Sequence, residues 1–317
     1  MGTDRPLRVG VFGVGSLGQW HARIFSELAE TELRGVFDAD ADRAREIAAR
    51  YGTRAFESTE ALAAEVEAAS VVVPTDLHTS VAVPLLQRGL HLLIEKPLAP
   101  TAAEAEALAA EADRAGVCLQ VGHVERFNPA TAWLEAEIDA PFLIEARRLA
   151  PYPPARPPLR PRGTEVSVVL DLMIHDLELI LHLVRDPVVE TQATGAAVLS
   201  PEEDVAAARV RFANGCVAQV TASRLSGGRE RRMEVYQPDG CLAVDFQDQS
   251  GRRTRRREGV MEETVAPIEK GEPLLLQLRA FAESVRRGQP PAVDGRRAVA
   301  ALRLAEAIRR RIAEGGA

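Results

Sequence analysis

The sequence predicts a doubly wound α/β sheet in the N-terminal half and an α+β half carrying an antiparallel sheet. Two observations lead there. Up to about Gly122, short apolar runs alternate with stretches of helical periodicity, as parallel βαβ units with right-handed crossovers require. Beyond that point, β-type segments follow one another across turns such as Asn214–Gly215, Gly227–Gly228 and Asp239–Gly240, which is how antiparallel sheets are connected.

The elements follow in order. Leu7–Phe12 reads as a strand, and the stretch Ser16–Glu30 reads as a helix with Leu17, Trp20, Ile24 and Leu28 at helical spacing. Leu33–Phe37 is the next strand, closed by Asp38 and followed by a helix over Ala41–Tyr51. A short strand Arg54–Phe56, a helix from Thr59 and a buried strand Ser70–Val73 come next. The half closes with a helix Thr79–Gln87, a strand His91–Ile94, an Ala-rich helix Ala102–Ala115 and a strand Val117–Val121. The second half opens with a helix near Pro129–Ile138 and a strand Phe142–Leu149, then a Pro/Arg-rich loop Ala150–Gly163. A long helix Val166–Val184 precedes the β segments between Val188 and about Glu258. Helices near Pro273–Arg287 and Gly295–Ala313 finish the chain. This divides the protein into domains 1–122 and 123–317.

Length and composition agree with two globular domains: 317 residues, 46 % apolar and 27 % charged. A net charge of −7 gives no reason to expect a nucleic-acid partner. The apolar runs are too short to cross a bilayer, and the N-terminus carries no leader pattern. Three scattered cysteines without a CxxC pattern point to a reducing cytoplasm. Of the 39 basic residues only Lys96 and Lys270 are lysine.

Gly13-x-Gly15-x-x-Gly18 follows a strand directly and opens a helix, with the acidic Asp38 ending the next strand. That context is the dinucleotide fingerprint: the glycines permit a tight turn and close approach to a pyrophosphate at the helix N-terminus. The turn residues Gly13, Gly15, Ser16, Leu17 and Gly18 are thus candidate cofactor contacts. Asp38 is suited to the adenosine ribose hydroxyls and repels a 2′-phosphate, favouring NAD over NADP, although Arg43 and Arg45 stand close by in sequence.

Ligands of such sheets bind beyond the carboxyl ends of the strands. There the sequence places Pro74, Thr75 and His78 after one strand and Glu95-Lys96-Pro97 after the next. Pro97 restricts the backbone of Lys96, which suits a lysine that holds a substrate hydroxyl or relays its proton. On Val166–Val184, Asp171, His175, Glu178 and His182 are spaced 4, 3 and 4, one polar stripe on an otherwise apolar helix. Three readings stand: a hydrogen-bonded core seam, a metal site with no supporting Cys or His cluster, and an acid/base pair with His175 as proton acceptor.

Together these residues resemble the Gfo/Idh/MocA family of oxidoreductases. The resemblance rests on Gly13–Gly18, Glu95-Lys96-Pro97, Gly122–Pro129 with its Arg126-Phe127-Asn128-Pro129, and Asp171-x-x-x-His175. It implies an N-terminal Rossmann domain and a C-terminal α+β domain with a large, open, mainly antiparallel sheet, whose outer face joins members into homodimers or homotetramers. It also implies NAD(P)-dependent chemistry at a carbinol carbon of a sugar or cyclitol without a metal. Lys96, Asp171 and His175 match the catalytic positions. One departure is Pro74-Thr75-Asp76-Leu77-His78, where the family often has Thr-Pro-Asn-x-x-His. Val168–Asp176 is similar to members acting on nucleotide sugars, so the expected reaction is oxidation at C3 of a nucleotide sugar such as UDP-N-acetylglucosamine. Inositol or free-sugar oxidation and a non-catalytic NAD-binding regulator are the alternatives. Arg126 and Asn128 are candidate substrate contacts, as are Arg160 and Arg162 in the proline loop, with Arg156, Arg147 and Arg148 nearby, because Arg forks suit a pyrophosphate. Arg252–Arg257 reads as a solvated edge strand.

Overall fold

The computed structural model describes residues 5–154 and 163–315. It divides into two compact units, Met1–Val124 with Glu272–Val299, and Glu125–Gly271 with Ala300–Ala317. Where the sequence suggests one division at residue 122, the chain thus returns to its first unit near its end.

The first unit is a five-stranded parallel sheet in the order β2-β1-β3-β4-β5. Its strands are β1 (Leu7–Phe12), β2 (Thr31–Phe37), β3 (Ala68–Val71), β4 (His91–Glu95) and β5 (Leu119–Gly122). The connecting helices are α1 (Gly18–Glu27), α2 (Ala41–Arg50), α3 (Thr59–Ala63), α4 (His78–Gln87) and α5 (Ala102–Ala115). Side-chain caps mark their starts: Asp40 accepts from Asp42 and Arg43 backbone N–H, Ser58 from Ala61, and Thr101 from Glu104. The strand order reverses between β1 and β3, the switch point at which such sheets take their ligands.

Two expectations change here. Arg54–Phe56 makes only a single parallel bridge, Val36 to Ala55, because the turn at Tyr51–Gly52 and the Ser58 cap leave too little chain for a ladder. On α1 the buried face is Gly18, His21, Ala22, Ile24 and Phe25, whereas Trp20 is 46 % exposed under the Arg23 guanidinium. The returning helix explains that face. In α8 (Pro273–Arg287), Leu278, Phe281 and Ala282 join Val9, Val11, Ile24 and Phe25 in one apolar core.

The second unit contains an eight-stranded sheet in the order β13-β12-β11-β10-β6-β9-β8-β7. Its elements are α6 (Pro129–Glu137), β6 (Leu143–Leu149), α7 (Ile174–Val184), β7 (Val188–Ala196), β8 (Val205–Phe212) and β9 (Val217–Ser223). They continue with β10 (Glu230–Gln237), β11 (Gly240–Asp245), β12 (Ser250–Arg257) and β13 (Val260–Val265). The last helix, α9 (Gly295–Gly315), runs from the first unit's segment into the second's. All neighbours in this sheet are antiparallel except β6 and β9. Gly227–Gly228 is therefore not a hairpin turn, since β6 lies between β9 and β10. The Arg252–Arg257 run is not an edge either: β12 is paired on both sides, and β13, with Val260, Met261 and Val265 exposed, is the edge. No described helix is long and apolar enough to cross a membrane.

Alternation divides the sheet cleanly. Ile144, Ala146, Val210, Ala218, Val220, Met233 and Val235 are buried, with α6 and α7 packed against the sheet. Glu145, Arg147, Arg209, Gln219, Arg232 and Glu234 take the intervening positions. Arg148 is the exception on the buried side. It grips Asp176 of α7 with two hydrogen bonds, 3.0 and 2.8 Å, and Glu125 with a third at 2.9 Å. Burial raises the Asp176 pKa, against the pull of the Arg148 charge. Removing one partner of so buried a pair strands the other. Asp176→Ala is expected to cost about 3 kcal/mol in urea unfolding, and Arg148→Met combined with Asp176→Leu and Glu125→Gln, which leaves no carboxylate stranded, to recover most of it.

Candidate active site

The glycine turn is set by sterics. A Cβ at Gly18 would lie 1.9 Å from the carbonyl oxygen of Gly13, and one at Gly13, whose φ is +86°, would lie 2.5 Å from that of Val72. Gly13 and Gly18 are thus required by the protein's own backbone. Gly15 is different, because a Cβ there would meet nothing within 4 Å. Its bare face opens onto space. The N-cap position of α1, Leu17, offers no side-chain cap to the first-turn N–H groups. An uncapped N-terminus behind an open glycine suits an anionic group such as a pyrophosphate.

Asp38 and Arg43 hold this turn from the β2 side. Asp38 Oδ2 accepts from Val14 N–H at 2.7 Å and Oδ1 from Asp40 N–H at 3.0 Å. Arg43 Nε donates to the Val14 carbonyl at 3.0 Å while its Nη1 donates to Glu46 at 2.8 Å. Arg45 pairs with Asp42. Both oxygens of Asp38 keep further accepting capacity for ribose hydroxyls.

The loops after β3 and β4 are tied together by His78. Its Nε2 lies 3.0 Å from the Val73 carbonyl, and its Nδ1 lies 3.1 and 3.2 Å from those of Pro97 and Leu98. The imidazole is 1 % exposed, so His78, expected among the cofactor contacts, is buried and shapes the loops that bear Pro74, Thr75 and Lys96. Glu95 is also buried, and Lys96 and Pro97 are half-buried beyond the carboxyl end of β4, across a cis peptide bond.

In the second unit the long helix that carries the polar stripe is not uniform. Val169–Met173 is a π-turn and the regular helix begins at Ile174. A π-turn closes on five residues rather than four, so the expected single stripe is broken at Asp171. The seam then splits in character. Asp171 and His175 are half-exposed, and the Asp171 carboxylate lies against the bare Cα of Gly163. Glu178 is buried, 2.8 Å from Arg126, and His182 lies 2.5 Å from Glu135. Burial opposes ionisation of Glu135, but the His182 hydrogen bond and the Arg126 charge outweigh it and hold its pKa down.

Two expected substrate contacts, and the neighbouring Arg148, take part in this packing. Arg126 is committed to Glu178 and nearly buried. Asn128 caps α6 through Ala130 N–H and donates to Glu125 and the Phe246 carbonyl. Arg148 is the buried partner of Asp176. Arg156, Arg160 and Arg162 lie outside the described residues.

Sequence reasoning overlooked the groups that place the π-turn. Arg224, 3 % exposed at the end of β9, donates to the carbonyls of Gly163, Val166 and Glu203. Asp204 lies 3.4 Å from Arg224 and accepts from the backbone N–H groups of Val198, Leu199 and Ser200. Those hydrogen bonds outweigh its burial and lower its pKa to about 2. Asp176 did leave a trace in the sequence, an acid on the apolar back of its helix.

Among the described residues no group of three His, Cys, Asp or Glu side chains is arranged to hold a metal ion. A cavity of about 400 Å³ in the first unit, lined by His91, Asp113, Cys118 and Gln289, opens at the amino ends of β4 and β5. That is the wrong end of the sheet for the cofactor.

Residues 7–123 match the family described as "Oxidoreductase family, NAD-binding Rossmann fold", and residues 132–243 match the GFO/IDH/MocA C-terminal domain. The chain is 37 % identical over 315 residues to a UDP-N-acetylglucosamine 3-dehydrogenase from Acidithiobacillus ferrooxidans, covering 97 % of each. A solved structure of that enzyme superposes with a TM-score of 0.91 over 96 % of this chain and 97 % of the other. A myo-inositol 2-dehydrogenase from Thermotoga maritima is 26 % identical over 97 % of each chain. A levoglucosan dehydrogenase solved with NADH and levoglucosan shares the fold, with TM-score 0.89 and 17 % identity over 98 % of each chain.

Two measurements check this geometry. Gly15→Ala is expected to leave thermal stability unchanged, because its Cβ is unopposed, yet to weaken NADH binding about tenfold or more in a fluorescence titration. The second concerns His91, which accepts from Cys118 N–H at 2.9 Å, and the buried His78. Burial lowers both pKa values below the ordinary 6.5. The unfolded chain therefore binds protons that the folded one refuses, and stability present above pH 6.5 falls as the pH drops below it. The urea midpoint should decline between pH 7.5 and 5.5, and His91→Asn should flatten part of that decline.

Proposed function

The chain belongs to the GFO/IDH/MocA family of NAD-binding oxidoreductases, and we propose that it is an NAD-dependent dehydrogenase acting on C3 of a nucleotide sugar such as UDP-N-acetylglucosamine. The observation that carries the substrate assignment is the end-to-end similarity, at 37 % identity, to an enzyme named for that reaction. The inositol dehydrogenase of Thermotoga maritima stands at 26 %.

The residues present fit the cofactor. Gly15 leaves room, the α1 N-terminus is uncapped by a side chain, and Asp38 reaches across the turn. The Asp38 carboxylate disfavours a 2′-phosphate, and Arg43 is already committed to Val14 and Glu46, which supports NAD over NADP. Bound there, NAD supplies the acceptor for the hydride leaving the carbinol carbon. His175 takes the hydroxyl proton as the carbonyl forms, which balances the oxidation as ketone, NADH and one proton. An imidazole, which can accept a proton near neutral pH, is the side-chain type suited to that task. Lys96 holds the same oxygen or relays its proton, and Asp171 orients the substrate or the base. Pro74, Thr75, Ser16 and Leu17 border the cofactor. In this reading Arg160 and Arg162 clamp the pyrophosphate, and the outer face of the eight-stranded sheet joins copies into a dimer or tetramer in the cytoplasm.

The test is direct. UDP-sugars, inositols and free sugars are incubated with NAD or NADP, and formation of NADH or NADPH is followed by absorbance. UDP-N-acetylglucosamine with NAD is expected to react fastest, and an inositol reacting faster would reassign the substrate. His175→Ala should lower kcat about 10²- to 10⁴-fold while NADH still binds. Near-normal turnover in that variant would remove His175 from the reaction.

A further inference from the structure

Behind the strand end that bears Lys96 lies a buried polar cluster to which the reaction above gives no role. His21 of α1 is fully buried, with Nδ1 3.0 Å from Ser70 Oγ on β3 and Nε2 3.4 Å from Glu95 Oε1 on β4. The other carboxylate oxygen, Glu95 Oε2, lies 3.4 Å from the backbone nitrogen of Lys96. The third side of the carboxylate is closed by Gly122 of β5, where a Cβ would lie 2.5 Å from Glu95 Oε1 and 2.9 Å from Oε2.

We propose that His21 is a positioning residue for Lys96, acting through the Glu95 carboxylate; the functional meaning of this rests on the role given to Lys96 above. The chemistry of the three groups determines the arrangement. A serine hydroxyl can donate to Nδ1, which leaves the imidazole proton on Nε2, the nitrogen that faces the carboxylate. Ser70 thereby selects the tautomer whose Nε2 proton faces Glu95 Oε1 at 3.4 Å, an electrostatic contact rather than a hydrogen bond. Drawn electrostatically toward that proton and confined by the bare Cα of Gly122, the carboxylate keeps one oxygen beside the Lys96 N–H. It restrains the residue at its backbone. The side chain of Lys96 then leaves the strand end from a fixed origin, as a group that must meet a reacting oxygen needs. Few groups other than imidazole bridge a β3 hydroxyl and a β4 carboxylate from one helix position, which accounts for a fully buried histidine on the apolar face of α1.

The two lysines of the chain make a test independent of turnover. Lys96 and the exposed Lys270 are labelled together with trace acetic anhydride and quantified by mass spectrometry, with Lys270 as internal reference. His21→Asn keeps a group beside Ser70 but withdraws the reach to Glu95, and should raise the relative rate at Lys96 about three- to tenfold. His21→Gln restores the reach and should return the rate to near wild type. Glu95→Gln, nearly isosteric, should behave like His21→Asn and covers the case in which that variant does not fold. In the turnover assay His21→Asn should lower kcat about 10²-fold with KM for the sugar little changed. An unaltered Lys96 rate in both His21→Asn and Glu95→Gln, or equal changes in His21→Asn and His21→Gln, overturns the positioning role. A labelling response in a protein that oxidises no sugar overturns the dehydrogenase reading and leaves the positioning intact.

Discussion

The chain can leave β1 and enter α1 only because Gly13 and Gly18 carry no side chains. A methyl group at Gly18 would occupy the position of the Gly13 carbonyl, and one at Gly13 would overlap that of Val72 beyond β3. This contact brings the first turn against the loop after β3 at the point where the strand order reverses. The consequences spread outward. Asp38 accepts from the Val14 N–H and Arg43 donates to the Val14 carbonyl, so both side chains are positioned by the turn itself. His78 then ties together the two loops that follow, and His21 lies between Ser70 and Glu95 behind the strand end. Rigid support of this kind is what a hydride transfer over a short distance requires.

The second unit solves a similar problem with buried charge. α7 presents Asp176 to Arg148 on the sheet and Glu178 to Arg126, while Arg224 gathers three carbonyls at the entrance to the π-turn. Buried ion pairs are weak sources of stability compared with apolar packing, but they are intolerant of misplacement. A helix held by them cannot rotate by one residue without stranding a charge. The half-exposed Asp171 and His175 inherit that rotational setting.

Much of this was legible in advance. The glycine spacing and the acidic end of the second strand marked the NAD-binding Rossmann fold that the family match covers, because backbone geometry imposes a local pattern. The helix carrying Asp171 and His175 was visible for the same reason. The buried partners of Arg126, Asn128 and Arg148 were not legible, because a basic or amide side chain looks alike in sequence whether it faces solvent or a buried carboxylate. Of the periodic residues at α1, Ile24 and the C-cap Leu28 reach the core while Trp20 is exposed, and the further burial of Ala22 and Phe25 reflects the core shared with α8, distant in sequence.

Local order along the chain therefore determined the alternation of strands and helices, the turn that admits a dinucleotide, and the residues suited to proton transfer. Tertiary structure alone decided which charges are buried with partners, that β6 and β9 run parallel with β13 at the edge, and that α8 completes the first core. The physical reason is range. Periodicity and steric exclusion act between neighbours in sequence, whereas the desolvation of a charge depends on every segment that comes to surround it.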